Sequence, residues 1–326
     1  MNILHILHGN SFGGMEIFCI DLCNELSKTN NVTLLADLNF KKNISKDVTL
    51  IPLDISKSKN NVYFLYKLFK IIKCIGPDII HVHKQNTLIM IKRLNLLLKI
   101  PFIVTKQDMQ IKKAFFGLEH CITITDEVSN TIKSKNLYKI YNGIPYVVPK
   151  DINLNQQVFN IVTVGGLRKV KGFDILIKEC SKLNFDYHLT IIGEGSERSN
   201  LEKLIEDLQL SNNVTLLGFI DNVNDYLYSS DLQIISSLSE GFSLSMIEGI
   251  FYSKILISTP VSGSTEILPN KLLVTWDKIN NKINDIFINY QEYKEIFNII
   301  KVKNKDRLTI EGCSKEYIKV YIKIAN

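Results

Sequence analysis

The chain carries SEGFSLSMIE at residues 239–248, where seven residues separate the carboxylates of Glu240 and Glu248. We expect a loop that carries Glu240 and a helix that begins near Ser243 and carries Glu248 about one turn in. Ser243 or Ser245 can cap this helix by accepting a hydrogen bond from a free backbone N–H. The helix N-terminus favours an anion in front of it, and carboxylates accept hydrogen bonds from paired sugar hydroxyls. The stretch therefore has the groups needed to hold a sugar joined to a phosphate.

This stretch resembles the E-x7-E motif of the GT-4 family, the retaining glycosyltransferases of the GT-B fold, whose form is roughly E-G-F-P/G-L-x-x-x-E-A. Ser243 stands where the family has Pro or Gly, and Gly249 stands where it has Ala. The resemblance implies an α/β protein with two facing Rossmann-like parallel-sheet domains and a C-terminal helix that crosses back to the first domain. The plain alternative is a strand-to-helix turn with two solvated glutamates.

Length and composition fit two α/β domains. The chain has 326 residues, of which 45% are hydrophobic, as in an ordinary globular protein of this size. Short apolar runs alternate with helical patterns, which indicates βαβ units and parallel sheets. We expect an acceptor-side domain at residues 1–148 and a nucleotide-sugar domain at 149–305, joined by a polar linker over 149–157. Residues 306–326 should form the helix that packs back on the first domain.

Several sequence features bear on location. The N-terminus reads as a first strand and not as a signal peptide, and no apolar run reaches the length of a membrane span. The six cysteines form no C-x-x-C pair, as in reduced cytosolic proteins. Residues 1–148 carry 19 Lys and Arg against 11 Asp and Glu, whereas residues 149–326 carry 20 against 22. We expect a cytoplasmic protein whose basic first half meets an anionic partner, such as the inner face of the cell membrane.

The first strand runs into a glycine-rich turn, GNSFGGME at residues 9–16, which should open a helix through Lys28. Glycines let the backbone come close to a ligand. Gly13 and Gly14 resemble the first loop of GT-4 enzymes, which lies beside the donor phosphates. A Gly-Gly turn before a helix is also common where no ligand binds.

A basic helix is predicted over residues 56–75, where lysines are interleaved with aromatic and aliphatic side chains. The lysines are Lys57, Lys59, Lys67, Lys70 and Lys73. A basic helix with exposed aromatic residues can lie on an anionic membrane surface. The alternative is a solvated lysine face above a buried aromatic face.

Residues 77–83 read as a strand with His81 and His83 on one face. Two histidines at this spacing can bind a metal ion, but no third ligand is evident and sites with only two histidines are rare. The stretch also resembles the D-V-V-H-V-H strand of GT-4 sequences, which gives His81 an acceptor-side role. Gln107 stands where many family members carry a histidine close to the transferred sugar. A glutamine can hydrogen-bond a sugar hydroxyl but cannot shuttle protons.

The second domain opens with GGLRKVKGF, residues 165–173, which resembles the family pattern G-R-L-x-x-x-K-G. In that pattern the Arg and Lys grip the donor diphosphate. Lys171 matches the Lys, whereas Gly166 occupies the Arg position, so that contact is absent or moved to Arg168 or Lys169. A Lys binds phosphate as a point charge and tolerates modest displacement. A surface basic loop is the alternative.

The resemblance assigns the remaining site residues. Glu240, Lys171 and Arg168 are the catalytic group, and Gln107 and His81 lie on the acceptor side. The donor-binding residues are Gly13, Gly14, Gly165, Gly166, the turn glycine Gly193, Ile220 in the loop that receives the nucleobase, Gly241, Phe242, Ser243, Leu244 and Glu248. The chain contains no D-x-D motif, so we expect no metal and no other cofactor.

The resemblance to the GT-4 family implies a retaining hexosyltransferase. Its donor would be a nucleoside-diphosphate sugar, UDP-linked before GDP-linked, and its acceptor a glycan or lipid-linked glycan in surface polysaccharide assembly of the lipopolysaccharide or capsule type. No nucleic-acid partner is expected. One alternative is another GT-B enzyme, a nucleotide-sugar epimerase or a phosphorylase. Another is a non-catalytic nucleotide-sugar-binding subunit, which the replacements at Gln107 and Gly166 would suit.

Overall fold

The computed structural model describes residues 1–7, 9, 13–53 and 60–325. The chain divides into two compact units, one formed by Met1–Pro145 with Arg307–Asn326 and the other by Tyr146–Asp306. These divisions lie close to the boundaries expected after residues 148 and 305. Among the described residues, no helix is both long and apolar enough to cross a bilayer.

The strands follow one another along the chain in two groups, seven in the first unit and five in the second. They are β1 (Asn2–Ile6), β2 (Asn31–Ala36), β3 (Val48–Pro52), β4 (Ile79–Val82), β5 (Phe102–Lys106), β6 (Leu118–Thr123), β7 (Ser134–Lys139), β8 (Phe159–Val164), β9 (Tyr187–Ile192), β10 (Val214–Gly218), β11 (Leu232–Ile235) and β12 (Leu256–Ser258).

Helices connect most of the strands and also close the chain. They are α1 (Gly14–Leu26), α2 (Val62–Ile75), α3 (Gln85–Leu98), α4 (Asp126–Ser129), α5 (Phe173–Cys180), α6 (Arg198–Asp207), α7 (Val223–Ser229), α8 (Leu244–Tyr252), α9 (Ser262–Ile267), α10 (Ile279–Ile288), α11 (Tyr290–Leu308) and α12 (Ile310–Ala325).

The first unit is a seven-stranded parallel sheet in the order β3-β2-β1-β4-β5-β6-β7. Strand β1 shows why both faces must be covered, because its alternate side chains enter two separate cores. Ile3 and Leu7 pack with residues of α1 and α12, whereas Leu4 and Ile6 pack with residues of α2 and α3. Continuous apolar runs of this kind are typical of parallel strands buried on both sides.

The C-terminal helix belongs to the first unit, as the resemblance implies. Tyr317 and Tyr321 of α12 are fully buried, and they pack in the same core as Phe18 of α1. Phe18 and Tyr317 are in ring contact, with centroids 6.0 Å apart. Helix α12 therefore completes the core on one face of the first sheet.

The second unit is a five-stranded parallel sheet in the order β10-β9-β8-β11-β12. In each sheet the strand order reverses at one place, between β1 and β4 in the first unit and between β8 and β11 in the second. Ligands of open parallel sheets bind beyond the carboxyl ends of the strands at this reversal. The loops after β1, β4, β8 and β11 are therefore the places to look for a site.

Some element boundaries differ from the sequence predictions. Helix α1 ends at Leu26 and not at Lys28, and α2 begins at Val62. The predicted basic helix also included Lys57 and Lys59, which lie outside the described residues. Strands β3 and β7 were not predicted. Strand β7 lies at the edge of its sheet, and its exposed and half-buried residues alternate, so it lacks the apolar run that marks the other strands.

Candidate active site

An ion pair joins the two loops at the reversal of the second sheet. Lys171, in the loop after β8, contacts Glu240, in the loop after β11, through Nζ and Oε1. Only 13% of the lysine side chain and 10% of the glutamate side chain are exposed. Ser237 Oγ donates to the same carboxylate oxygen at 3.1 Å, and Ser236 Oγ donates to the carbonyl of Lys171 at 2.8 Å. Two residues of the predicted catalytic group are therefore held together.

Glycines make room for this contact. The Lys171 side chain passes 3.3 Å from the position that a Cβ on Gly165 would occupy. Gly172 has φ +64°, and a Cβ there would collide with the carbonyl of Ser236. Gly193 has φ +141°, and a Cβ there would collide with the carbonyl of Gly165. Only glycine accepts both the backbone angle and the close approach at these two positions.

Arg168 lies beside Gly166, the position at which the family pattern has an arginine. Its Nε is 3.6 Å from the position that a Cβ on Gly166 would occupy, so the guanidinium covers the glycine. Burial, followed by the charge of Arg168, lowers the pKa of Lys171 to about 8. Glu240 neutralises Lys171, whereas Arg168 has no ion pair among the described residues. The loop therefore carries an excess positive charge that an anion can satisfy.

Helix α8 begins beside this charge. Ser243 is its N-cap residue, but its side chain makes no capping hydrogen bond. Ser243 Oγ instead lies 2.7 Å from Ser245 Oγ. The prediction that Ser243 or Ser245 caps the helix is therefore wrong, because the two hydroxyls bond to each other. Among the described residues, no side chain accepts a hydrogen bond from the first N–H groups of α8, from Leu244 onward, which suits the binding of an anion.

Glu248 lies in the second turn of α8, as the spacing of the two carboxylates predicts. Burial raises its pKa to about 7. Its carboxylate makes no hydrogen bond or ion pair within the part of the chain that the structure describes. Glu248 is half-buried, and a partly buried carboxylate without a partner is costly unless a ligand supplies hydrogen-bond donors.

The other donor-side residues lie around the same loops. The amide of Gly263 donates to the carbonyl of Gly241 at 2.9 Å, and Phe242 is buried against Gly263, so both residues anchor the loop. Gly193 donates its amide to the carbonyl of Gly218 at 2.8 Å. Ile220, two residues after β10, is half-buried and makes no hydrogen bond among the described residues.

In the first unit the glycine turn leads directly into α1. Gly13 is its N-cap and Gly14 its first residue; residues 10–12 of the turn lie outside the described residues. Glu16, buried in the first turn of α1, forms an ion pair with Lys84, which follows β4. The Lys84 ammonium is 3.0 Å from the position of a Cβ on Gly9. The glycines therefore make room for a charged pair at the reversal of the first sheet.

Gln107 and His81 have different environments. The Nε2 of Gln107, beyond β5, is buried and has no hydrogen-bond partner among the described residues. His81 is fully buried, and its ring nitrogens lie 2.6 Å from the Tyr321 hydroxyl and 2.7 Å from the Thr105 hydroxyl. Gln107 thus retains a free donor for a ligand, whereas His81 is a satisfied core residue. We therefore leave His81 out of the acceptor site.

Comparison with known proteins identifies the family. The model of the group 1 glycosyl transferases matches residues 148–301, and a glycosyl transferase 4-like model matches residues 7–114. An uncharacterized glycosyltransferase of Methanocaldococcus jannaschii is 30% identical over 280 residues, 72% of this chain and 67% of that protein. The chain is a group 1, GT4-like glycosyltransferase.

Two further proteins are similar to this glycosyltransferase. One is the N-acetylgalactosamine-N,N'-diacetylbacillosaminyl-diphospho-undecaprenol 4-alpha-N-acetylgalactosaminyltransferase of Campylobacter jejuni. It is 30% identical over 219 residues, 64% of this chain and 56% of the relative. The other is Anabaena HepE in complex with UDP, with a TM-score of 0.84 and 18% identity over 99% of this chain and 100% of that one. HepE in complex with UDP-glucose gives a TM-score of 0.83. The HepE structures share the GT-B fold with this chain.

Sequence reasoning missed two features of this glycosyltransferase. One is Lys84, which lies two residues after the end of β4, a position that could have marked it as part of the loops at the sheet reversal. The other is His5, a third histidine beside His81 and His83. It is the register partner of His81 on the neighbouring strand, and only the pairing of β1 with β4 would have revealed it.

Proposed function

We propose that this glycosyltransferase transfers a hexose from a UDP-sugar to a glycan or lipid-linked glycan acceptor, with retention of anomeric configuration, in surface polysaccharide assembly. The observation that carries the proposal is the charge arrangement of the second unit. It combines the cations of Lys171 and Arg168, the uncapped N-terminus of α8 and the unpartnered carboxylate of Glu248. These groups match the diphosphate and the ribose of one ligand.

The diphosphate is the leaving group of the reaction. Negative charge grows on it as the anomeric C–O bond breaks, and cations or N–H groups fixed around it lower the barrier. Each such donor is typically worth about 3 kcal/mol. We assign this role to Lys171, Arg168 and the first N–H groups of α8. No metal ion is needed in this scheme, which agrees with the lack of a D-x-D motif in the sequence.

The two glutamates have separate roles in the proposal. Glu248 accepts hydrogen bonds from the ribose hydroxyls, which would satisfy its half-buried carboxylate. Glu240 holds Lys171 in place in the free protein and contacts the hexose when the donor is bound. Because the diphosphate competes with Glu240 for Lys171, donor binding frees the Glu240 carboxylate to accept from a sugar hydroxyl.

Two observations support the choice of substrates. The HepE structures contain UDP and UDP-glucose, which favours uridine in the donor of this chain. The C. jejuni relative is named for a diphospho-undecaprenol acceptor, which favours a lipid-linked glycan. We assign the acceptor to the first unit, where the buried amide of Gln107 has an unused donor.

An enzyme with a lipid-linked acceptor has to bind at a membrane surface. Helix α2 has a surface suited to such binding. Its core stripe is Phe64, Leu68 and Ile72. Tyr63 and Tyr66 are exposed by 78% and 54%, so the aromatic residues are not all buried beneath the lysines. Lys70 lies 4.8 Å from the centre of the Tyr66 ring. Exposed tyrosines among lysines suit the interface of an anionic membrane.

The neighbouring helix α3 adds apolar surface. Leu96 and Leu97 near its C-terminus are exposed by 79% and 75%. We propose that α2 and α3 bind the inner face of the cell membrane peripherally. The protein should sediment with vesicles that contain phosphatidylglycerol and be released by salt. Replacing Lys67, Lys70 and Lys73 by Glu should abolish sedimentation, whereas the same change at Lys203, Lys294 and Lys303 of the second unit should not.

The proposed reaction is tested in two stages. A thermal-shift screen of UDP-, GDP- and ADP-sugars should give the largest shift with a UDP-sugar, since a ligand that binds the native state stabilises it. The donor that binds is then incubated with undecaprenyl-diphosphate-linked glycans, with and without EDTA. We expect transfer that EDTA does not stop and an α-linked product from an α-linked donor. Binding without transfer to any acceptor would indicate a non-catalytic subunit, and a changed nucleotide sugar without acceptor would indicate an epimerase.

A further inference from the structure

A cluster of histidine and cysteine side chains lies in the core of the first unit, between the sheet and α1. His5 of β1 and His81 of β4 occupy the same face of the sheet, because they are register partners. His83 lies one residue beyond the end of β4 and points to the same side, because it is two residues after His81. All three are buried, with at most 3% of any of them exposed. The proposed transfer reaction uses none of them.

Helix α1 covers this face with two thiols. Cys19 and Cys23 are four residues apart, so they lie on one side of the helix, and both are fully buried. The ligand atoms of Cys19, Cys23 and His5 all lie within 4.8 Å of one another. Two thiols and an imidazole thus converge from a helix and a strand.

The hydrogen bonds of the three imidazoles differ. His81 uses both ring nitrogens, with Tyr321 and Thr105 as its partners. His5 Nδ1 lies 3.1 Å from His83 Nε2. This contact leaves His5 Nε2 buried and without a partner among the described residues. When His5 Nδ1 carries the proton and donates it to His83, the lone pair of His5 Nε2 is free for a ligand.

We propose that Cys19, Cys23 and His5 form a binding site for a thiophilic metal ion, Zn²⁺, inside the first unit. Two thiolates and one imidazole are ligands that Zn²⁺ prefers. On binding, each thiol loses its proton to solvent, and the two thiolates balance the charge of the ion. His83 then acts as the partner that fixes the tautomer of the liganding His5, as metal-bound histidines usually require.

The geometry needs little adjustment. Zn–S bonds of about 2.3 Å and Zn–N bonds of about 2.0 Å place tetrahedral ligand atoms roughly 3.6–3.8 Å apart. The three ligand atoms lie within 4.8 Å of one another, so they have to approach by about 1.2 Å at most, which side-chain rotation can provide. Three protein ligands leave one coordination position. The ion would tie α1 to β1.

Cobalt provides a spectroscopic test that does not depend on activity. The full chain with Cys74→Ser, which removes the exposed cysteine, is stripped with chelator under reductant and titrated with Co²⁺. We expect thiolate-to-cobalt charge-transfer absorption that saturates at one equivalent and disappears when one equivalent of Zn²⁺ is added. Zn²⁺ should also raise the melting temperature. Absence of the absorption, or saturation at several equivalents, would overturn the proposal.

Variants locate the site. Cys19→Ser and Cys23→Ser should each weaken cobalt binding at least tenfold. The matched control is Cys121→Ala, a buried cysteine in the other core of the same unit, which should keep the absorption. Equal loss in all three variants would contradict the assignment. If the serine variants do not fold, alkylation of the Cys74→Ser protein in moderate urea replaces them. Zn²⁺ should then protect Cys19 and Cys23 from alkylation but not Cys121. Equal protection of all three cysteines would overturn the proposal.

Discussion

Lys171 and Glu240 are 69 residues apart in the chain and form a nearly buried ion pair in the second unit. They meet because β8 and β11 are neighbours at the reversal of the strand order, so the loops that follow them leave the sheet side by side. A nearly buried pair of this kind is more useful for fixing positions than for stability. It orients a cation toward a diphosphate and keeps a carboxylate within reach of the sugar.

Glu240→Gln should separate binding from transfer. The change removes the charge that neutralises Lys171, so the lysine is available to the diphosphate without competition. We expect UDP to bind the variant as tightly as the wild type or more tightly, while kcat falls about 10²–10³-fold through loss of the contact to the sugar. Calorimetry and a transfer assay measure the two effects. Ser237→Ala, which removes one hydrogen bond to the same oxygen, should lower kcat less; equal losses in the two variants would contradict the assigned role.

Donor affinity should be greatest between about pH 7 and 8. Burial raises the pKa of Glu248 to about 7, so below that pH the carboxyl is protonated and binds the ribose less well. Burial and Arg168 lower the pKa of Lys171 to about 8, so above that pH the diphosphate loses a cation. UDP titrations from pH 5.5 to 9.5 measure the profile. Glu248→Gln should flatten the acid side only, and an unchanged acid side would argue against ribose binding by Glu248.

The carboxyl group of Glu248 should destabilise the ligand-free protein above about pH 7. Its pKa is higher in the folded state than in the unfolded chain, so the folded protein is penalised as the pH rises from about 4.5 to 7. Glu248→Gln removes this penalty. We expect it to raise the free energy of unfolding by about 1–3 kcal/mol at pH 8 and to leave it nearly unchanged at pH 4. Urea unfolding at the two pH values measures the difference, and a loss of stability at pH 8 would be the contrary result.

Two glycines with the same backbone angle provide a matched pair. Gly172 and Gly117 both have φ +64°, but a Cβ on Gly172 would collide with Ser236, whereas a Cβ on Gly117 meets nothing within 4 Å. Gly117→Ala should cost only the left-handed backbone penalty, about 1–2 kcal/mol. Gly172→Ala should cost at least about 1–2 kcal/mol more, since it also strains the loop, and it should weaken UDP binding by displacing Lys171. Equal losses of unfolding free energy in the two variants, measured by urea unfolding, would show that the loop at Gly172 accommodates a Cβ without added strain.

Much of this site could be predicted from local sequence. The spacing of Glu240 and Glu248 places one in a loop and the other in a helix, and the turn before Lys171 depends on glycines that short-range rules identify. What local rules could not supply is the contact between Lys171 and Glu240, since it depends on which strands are neighbours in the sheet. His5 was missed for the same reason.

The sequence also could not show which of several similar side chains makes a given contact. The prediction of a serine cap treated Ser243 and Ser245 separately, yet their hydroxyls bond to each other at 2.7 Å. At Gly166 the sequence left two basic residues as substitutes for the missing arginine. The path of the loop brings Arg168 over the glycine, and a path of this kind depends on packing that a linear motif does not contain.

The proposed function depends above all on Lys171, which should bind the diphosphate of a nucleotide in the second unit. Calorimetric titration of UDP into the wild type, Lys171→Ala and Lys169→Ala tests it directly, since Lys169 is an exposed lysine two residues away. We predict that Lys171→Ala weakens UDP binding at least tenfold and that Lys169→Ala changes it less than twofold. The same dissociation constant for Lys171→Ala and the wild type would show that Lys171 does not bind the diphosphate.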